Sequence, residues 1–128
     1  GKGVLVWGAR TLAGNNNEWR YVPVRRFLSW VNESVQLSIQ PFAFEPNNAN
    51  TWLKVKAMIE NHLVILWRNG ALQGSKPEHA FYVAAGLNKT MTSLDIAEGK
   101  MIVETGLAVV RPAEFIISRL VLKMQTES

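Results

Sequence analysis

The alternation of apolar and polar positions near the end of the chain predicts a β-hairpin over residues 101–123. Its first arm covers residues 101–110, its second arm residues 114–123, and the reversal lies at residues 111–113. β-Branched and aromatic residues fill both arms, and Pro112 has a φ angle that suits a turn. Both faces of the second arm are largely apolar, so we expect this strand to be covered on both sides.

Within this sequence, only the short stretch 124–128 follows the second arm. No later segment can therefore pair with its outer edge, and we predict an edge strand. An apolar edge strand is an aggregation hazard in a monomer and a docking element in an assembly.

Two segments show the 3.6-residue period of amphipathic helices. The first is predicted to start near Pro23 and to end or kink at Pro41. The second is predicted over residues 49–69, after a break at residues 44–48 in which either asparagine can cap it, and before Gly70. The apolar stripes are Val24, Phe27, Leu28, Val31, Val35 and Ile39 in the first helix, and Trp52, Val55, Met58 or Ile59, Leu63, Leu66 and Trp67 in the second.

Shorter signals complete the order of elements. Residues 4–9 and 80–85 are predicted to be strands, and residues 92–96 a short helical turn. The order strand, two helices, three strands predicts an α+β domain. In it, two antiparallel amphipathic helices pack on a small mixed β-sheet with a C-terminal β-hairpin.

The composition is that of a globular protein. Hydrophobic residues make up 48% of the 128 residues, which predicts one domain with a substantial core. No apolar run is long enough for a membrane-spanning helix, and no signal peptide is evident. The sequence begins with Gly1 rather than Met, so we expect a fragment of a longer subunit. Five tryptophans in so short a chain require a dense core or an interface.

The residues that could carry chemistry do not form a catalytic or metal site. The chain has no cysteine, which removes thiol nucleophiles and zinc–thiolate sites. His62 is predicted to be structural, because Glu60 lies on another face of the same helix. His79 follows Pro77 in a loop without the further ligands that a metal requires. We therefore predict no catalytic residues, no metal and no cofactor.

The basic residues leave one alternative open. The net charge is +4, which favours an acidic partner. Arg20, Arg25 and Arg26 have Trp19 and Tyr21 among them, and such a mixture could bind a nucleic-acid strand. Solvated arginines and core aromatics are the simpler interpretation, because +4 is little charge for a phosphate-binding surface. A basic α+β nucleic-acid-binding module would be retained on DNA and released by salt, whereas a small enzyme would have a concave polar pocket.

Several segments, taken in order, resemble the C-terminal domain of the contractile phage-tail sheath family, including sheaths of contractile injection systems and bacteriocins. The segments are residues 6–13 (Val-Trp-Gly-Ala-Arg-Thr-Leu-Ala), 18–22 (Glu-Trp-Arg-Tyr-Val) with 24–26 (Val-Arg-Arg), 44–47 (Phe-Glu-Pro-Asn), 66–74 (Leu-Trp-Arg-Asn-Gly-Ala-Leu-Gln-Gly) and 112–115 (Pro-Ala-Glu-Phe). Departures from the family pattern are Pro41, the asparagines at 15–17 and Val109.

The resemblance implies a structural protein rather than an enzyme. Sheath subunits polymerise around an inner tube and contract to drive the tube through a target cell envelope. The resemblance also implies that residues 1–128 form the inner, tube-proximal domain of the subunit, and that terminal strands are exchanged between neighbouring copies. Such an exchange matches the edge strand predicted above, because a head-to-tail contact that does not close produces a helical polymer.

The resemblance also implies sites and partners. The inter-subunit strand is expected to contain Glu114, Phe115, Ile116, Ile117, Leu120 and Leu122. The tube-facing basic residues are expected to be Lys54, Lys56 and Arg68. Expected partners are other copies of the sheath subunit, the inner tube protein, and baseplate and tail-terminator proteins, with no nucleic acid and no membrane insertion. The expected location is a virion tail or phage-tail-like particle assembled in the bacterial cytoplasm.

Overall fold

The computed structural model describes residues 23–125, in which helices pack on one face of a three-stranded sheet. The predicted strand at residues 4–9 and the aromatic residues Trp19 and Tyr21 lie outside the described residues. The elements, in chain order, are α1 (Val24–Ile39), a 3₁₀ helix (Gln40–Phe44), α2 (Ala49–Arg68), α3 (Pro77–Ala80), β1 (Phe81–Ala84), α4 (Ser93–Ala97), β2 (Lys100–Leu107) and β3 (Ile116–Lys123).

Helix α1 begins directly after Pro23 and buries one stripe of side chains. The buried residues are Phe27, Val31, Val35 and Ile39. Helix α1 ends at Ile39, and the chain continues as the 3₁₀ helix, because Pro41 has no amide hydrogen to donate to the α-helical ladder. The predicted end of the helix at Pro41 is therefore confirmed. Val24, at the exposed start of the helix, is 36% exposed and does not join the core.

Helix α2 is capped at both ends as the sequence predicts. The Asn48 side chain accepts hydrogen bonds from the backbone N–H groups of Asn50 and Thr51, at 3.1 and 3.2 Å. At the other end, Gly70 takes a φ of 87°, the left-handed conformation that ends a helix. The buried face of α2 consists of Thr51, Trp52, Val55, Ile59, Leu63 and Leu66.

Asn47 connects the start of α2 to the sheet. Its side-chain oxygen accepts a hydrogen bond from Trp52 Nε1 at 2.7 Å. Its amide nitrogen donates to the carbonyl oxygen of Lys100 at 3.0 Å. The two asparagines therefore have different roles: Asn48 caps the helix, and Asn47 fixes the helix start against β2.

The sheet has the strand order β1-β2-β3, and both pairings are antiparallel. Strand β1 falls inside the predicted strand at 80–85, and α4 overlaps the predicted helical turn at 92–96. Helix α4 begins with a capping box, in which Thr92 and Asp95 each bond the other's backbone N–H. The α+β class is confirmed. Among residues 23–125 the sheet is wholly antiparallel rather than mixed.

The hairpin is confirmed, but its arms are shorter than predicted. Strand β2 ends at Leu107 and β3 begins at Ile116, so residues 108–115 form the connection. The connection leaves the β2–β3 ladder because its backbone bonds elsewhere. The carbonyl oxygen of Ala108 accepts from the N–H of Gln73 at 2.8 Å, and the N–H of Ala113 donates to His79 at 2.8 Å.

The core lies between the helices and the inner face of the sheet. Helix α1 packs against β3, and α2 packs against β1. Met101, Val103 and Leu107 of the central strand are at most 1% exposed and join the buried stripes of both helices. No helix among the described residues is both long enough and apolar enough to cross a membrane.

Candidate functional site

The outer edge of β3 has no pairing partner among residues 23–125. The residues that face this edge follow from the alternation of an antiparallel ladder. The N–H of Met124 donates to the carbonyl oxygen of Gly99 at 2.6 Å, so the even-numbered residues of β3 bond to β2. The odd-numbered residues direct their backbone groups to the open edge, and these are Ile117, Arg119, Val121 and Lys123. Among the described residues, β3 is therefore an edge strand, as predicted.

The two faces of β3 differ in how well they are covered. On the inner face, Leu120 and Leu122 are 9% and 4% exposed and belong to the core of their own chain. On the outer face, Ile117 and Val121 are 57% and 52% exposed. The described residues therefore cover one face and leave the other face and the edge open. Removal of residues 114–128 would take core side chains with it.

The remaining residues of the predicted inter-subunit strand lie at its beginning. Glu114 and Phe115 belong to the connection rather than to β3, and Ile116 is the first strand residue. The Phe115 ring packs edge-on against Tyr82, with ring centroids 5.2 Å apart. Phe115 is therefore held by its own chain through β1.

A polar cluster crosses the outer face of the sheet and ends at the open edge. Tyr82 donates its hydroxyl hydrogen to Glu104 Oε2 at 2.7 Å, and Arg119 Nε donates to Glu104 Oε1 at 2.9 Å. The Tyr82 hydroxyl, assisted by the Arg119 guanidinium, holds the pKa of Glu104 below its usual value. Burial, together with this hydrogen bond, raises the pKa of Tyr82 to about 12. The cluster therefore fixes the Arg119 side chain relative to β1 and β2.

A groove of about 690 Å³ runs beside the C-terminal half of β3. Its wall includes Val121 of the strand and Leu37 and Phe44 of the helical layer. Leu37 is 68% and Phe44 is 78% exposed, the two highest values among the exposed large apolar side chains of residues 23–125. The groove thus continues the apolar surface from the open edge to the helices.

The other edge of the described sheet is shorter. Strand β1 has four residues, and residues of β1 and α2 together line a groove of about 520 Å³. Lys56 lies in the wall of this groove and forms an ion pair with Glu60 at 2.9 Å. Lys56 is therefore beside a sheet edge rather than on a free helix surface.

The structure does not bring the three expected tube-facing residues together. Lys54 forms an ion pair with Glu45 at 3.4 Å, and Lys56 pairs with Glu60. Arg68 is exposed in the last turn of α2, about 21 Å along the helix axis from Lys54. Arg68 is exposed and has no ion-pair partner within residues 23–125, whereas Lys54 and Lys56 each have one.

The two histidines and the arginines at the start of α1 do not lie together in one site. His62 is half-buried on α2, its Nε2 has no hydrogen-bond partner within the described part of the chain, and burial lowers its pKa. His79 lies in α3. Arg25 and Arg26 are exposed at the start of α1, whereas Arg20 lies outside the described residues. No group of three metal-binding side chains occurs within residues 23–125.

The sequence analysis did not identify Tyr82, Glu104, Gly106, Leu37 or Phe44 as residues of this site. A glycine inside a strand indicates a close approach, and Gly106 lies directly under the Tyr82 ring. Glu104 lies opposite Arg119 in the register, but opposition across a sheet can be recognised only when the register is known.

The open strand edge and the similarity to known sequences point to the same class of protein. The described residues define an α+β domain whose sheet has an unpaired, partly apolar strand edge. The chain belongs to the phage tail sheath C-terminal domain family, whose sequence model matches residues 14–123. The comparison with curated proteins found no match.

Solved structures of contractile assemblies contain similar chains. One, from the anti-feeding prophage (AFP) baseplate with 6-fold symmetry, is 45% identical, with a TM-score of 0.67 over 86% of this chain and 30% of that one. A second, from the PVC sheath complex of an extracellular contractile injection system in the contracted state, is 51% identical, with a TM-score of 0.66 over 89% and 32%. A third, from the contracted AFP baseplate, is 45% identical, with a TM-score of 0.64 over 84% and 30%. This chain spans about a third of the length of those chains.

Proposed function

We propose that this chain is the tube-proximal domain of a sheath subunit that polymerises around an inner tube and contracts to drive the tube through a target cell envelope. Family membership and the 45–51% identity to chains of contractile injection assemblies support the proposal. The role is structural, without catalysis or a cofactor. The partners are other copies of the subunit, the tube, the baseplate and the terminator, within a phage-tail-like particle assembled in the bacterial cytoplasm.

The open edge of β3 is the observation that carries this proposal. Four residues direct to one side backbone groups that have no partner within residues 23–125, and an added strand from a neighbouring copy would satisfy them. Such a contact is head-to-tail and does not close on itself, so it propagates into a helix. The inter-subunit strand of the proposal is Glu114, Phe115, Ile116, Ile117, Leu120 and Leu122, in which Leu120 and Leu122 anchor the strand in its own core.

Main-chain hydrogen bonds between copies suit a sheath that contracts. During contraction the subunits rotate as bodies and exchange one set of surface contacts for another. A strand added to β3 stays bonded through this motion because the connecting backbone, rather than the sheet, absorbs the change. The edge therefore acts as a tether between subunits.

Val121→Pro, introduced in the full-length subunit, tests the tether. The N–H of Val121 faces the open edge, so proline removes no hydrogen bond of the β2–β3 ladder and is tolerated there. It does remove an edge donor and places a ring in the path of an added strand. We expect a folded subunit that forms no sheath, as observed by circular dichroism and negative-stain electron microscopy.

Val121→Thr is the matched control. It keeps the N–H group and a β-branched side chain, so we expect normal sheaths. Normal sheaths from a folded Val121→Pro subunit would contradict strand addition at β3.

We also propose that the outward surface of α2 contacts the tube. Leu53 and Ile65 are 65% and 57% exposed on this helix, and Arg68 follows them in its last turn. Arg68→Glu should weaken binding of the subunit to purified tube at low salt, measured by co-sedimentation. Lys54 and Lys56 already have carboxylate partners, so their reversal should have smaller effects. Equal binding by Arg68→Glu and by Lys76→Glu, a control with the same change in net charge outside α2, would remove this helix from the tube contact.

A further inference from the structure

Apolar and cationic residues alternate along the open edge of β3. Ile117 and Val121 are apolar, Arg119 and Lys123 are cationic, and all four side chains lie on the outer face. The same four residues direct their backbone groups to the open edge. An incoming strand would therefore place a side chain directly opposite each of them, on the same face.

The two cations are available to such a strand. Arg119 uses Nε for Glu104, and its two terminal nitrogens have no hydrogen-bond partner within residues 23–125. Lys123 has no ion-pair partner in that range and lies opposite Lys100 in the register. Both oxygens of Glu104 are occupied, and its side chain is only 18% exposed. The outer side of the edge thus presents unused donors at two positions four residues apart.

The inner side of the edge has a different chemistry. The alternate side chains of an incoming strand would point towards the helical layer, where Leu37 and Phe44 line the groove beside β3. Leu37 and Phe44 are exposed and apolar, so this part of the groove favours apolar side chains, while Gln36, Gln40 and Gln125 line its polar part.

We propose that this edge selects an extended segment with carboxylates at two positions four residues apart, opposite Arg119 and Lys123, and with apolar residues facing Ile117, Val121 and the groove. The inference rests on the strand addition of the proposed function and adds the chemistry of the strand that is accepted. The same cations oppose pairing of two β3 edges, because antiparallel registers centred on Arg119 or on Val121 set cation against cation. A closed pair in either of these two registers is therefore disfavoured.

The segment does not come from these 128 residues. The sequence contains ten Asp and Glu residues, and no two of them are four positions apart. The complementary carboxylates belong to another stretch of polypeptide, which binds as an acidic, alternating strand.

Three synthetic peptides test the inference on the 128-residue chain. The first is Glu-Leu-Val-Thr-Glu-Leu-Val-Thr, and the others have Gln or Lys in place of both glutamates. Binding is measured by fluorescence anisotropy at low and high salt, and docking by amide hydrogen exchange at residues 117, 119, 121 and 123. We expect the Glu peptide to protect these amides and to bind about fivefold or more tightly than the Gln peptide at low salt, with a smaller difference at high salt.

Two variants with the same change in net charge localise the effect. Lys123→Glu should abolish most of the preference for the Glu peptide, because Arg119 alone then favours a carboxylate and the new Glu opposes one, whereas Lys76→Glu, in the link before α3, should leave the preference unchanged. Equal binding of the Glu and Gln peptides with protected edge amides would overturn the charge selection and leave strand addition intact. Failure of all three peptides to protect the edge amides would overturn both.

Discussion

Gly106→Ala is expected to destabilise the domain by about 2 kcal/mol, although alanine suits a strand better than glycine. A Cβ at this position would lie 2.6 Å from Cδ2 and 2.8 Å from Cζ of Tyr82, and closer still to Cε2. The Tyr82 ring would have to move away from Gly106. It would then lose its hydrogen bond to Glu104 and its contact with Phe115, and these losses outweigh the gain in strand propensity.

A double-mutant cycle separates this clash from other effects of the methyl group. In a Tyr82→Ala background the ring is absent, so Gly106→Ala should be neutral or slightly stabilising. Urea unfolding of the four proteins gives the coupling free energy. The same cost of Gly106→Ala with and without Tyr82 would show that the ring does not require the glycine.

The two buried threonines of the sheet region are expected to respond in opposite directions to valine. Thr90 Oγ1 donates to the carbonyl oxygen of Ile102 at 2.6 Å and accepts from the N–H of Gly86 at 3.2 Å. Thr90→Val leaves both backbone groups unsatisfied and should destabilise by about 2 to 3 kcal/mol. Thr105 is 2% exposed, and its hydroxyl has no partner within the described residues. Thr105→Val keeps the shape of the side chain and should stabilise by about 1 kcal/mol.

The pair of substitutions provides its own control, because each changes a nearly buried hydroxyl into a methyl group. Thermal and urea unfolding should place Thr105→Val above the wild type and Thr90→Val below it. A clear loss of stability in Thr105→Val would show that its hydroxyl is bonded in solution.

Strand β3 combines two roles that the sequence analysis treated as one. Its inner face belongs to the core through Leu120 and Leu122, while Ile117 and Val121 remain exposed on the outer face. Because successive strand residues alternate between faces, one strand can be anchored in its own domain and still present an edge. A substitution that acts only on the edge, such as Val121→Pro, is therefore a more informative test than deletion of the strand.

The helices were predictable because their signals are local. The period of buried residues in α1, the proline at position 41, the cap at Asn48 and the left-handed Gly70 each act within a few residues of the chain. The capping box at Thr92 and Asp95 is another local motif. Such features depend on backbone geometry that neighbouring residues impose on one another.

The cluster on the outer face and the length of the hairpin arms were not predictable in this way. Glu104 meets Arg119 across 15 positions and Tyr82 across 22, and both contacts exist only in one register. The arms end where they do because Ala108 bonds to Gln73 and Ala113 bonds to His79, which lie 35 and 34 positions earlier in the chain.

The two long helices, the hairpin and the apolar final strand were thus predictable from patterns that extend over one or two turns of the chain, whereas the short helix α3 was not predicted. Packing between distant segments leaves the β3 edge unpaired among residues 23–125, sets the direction of its four outward residues and fixes the position of Arg119. Long-range contacts need a unique register, and a register is selected only when the helices bury one face of the sheet and leave the other exposed.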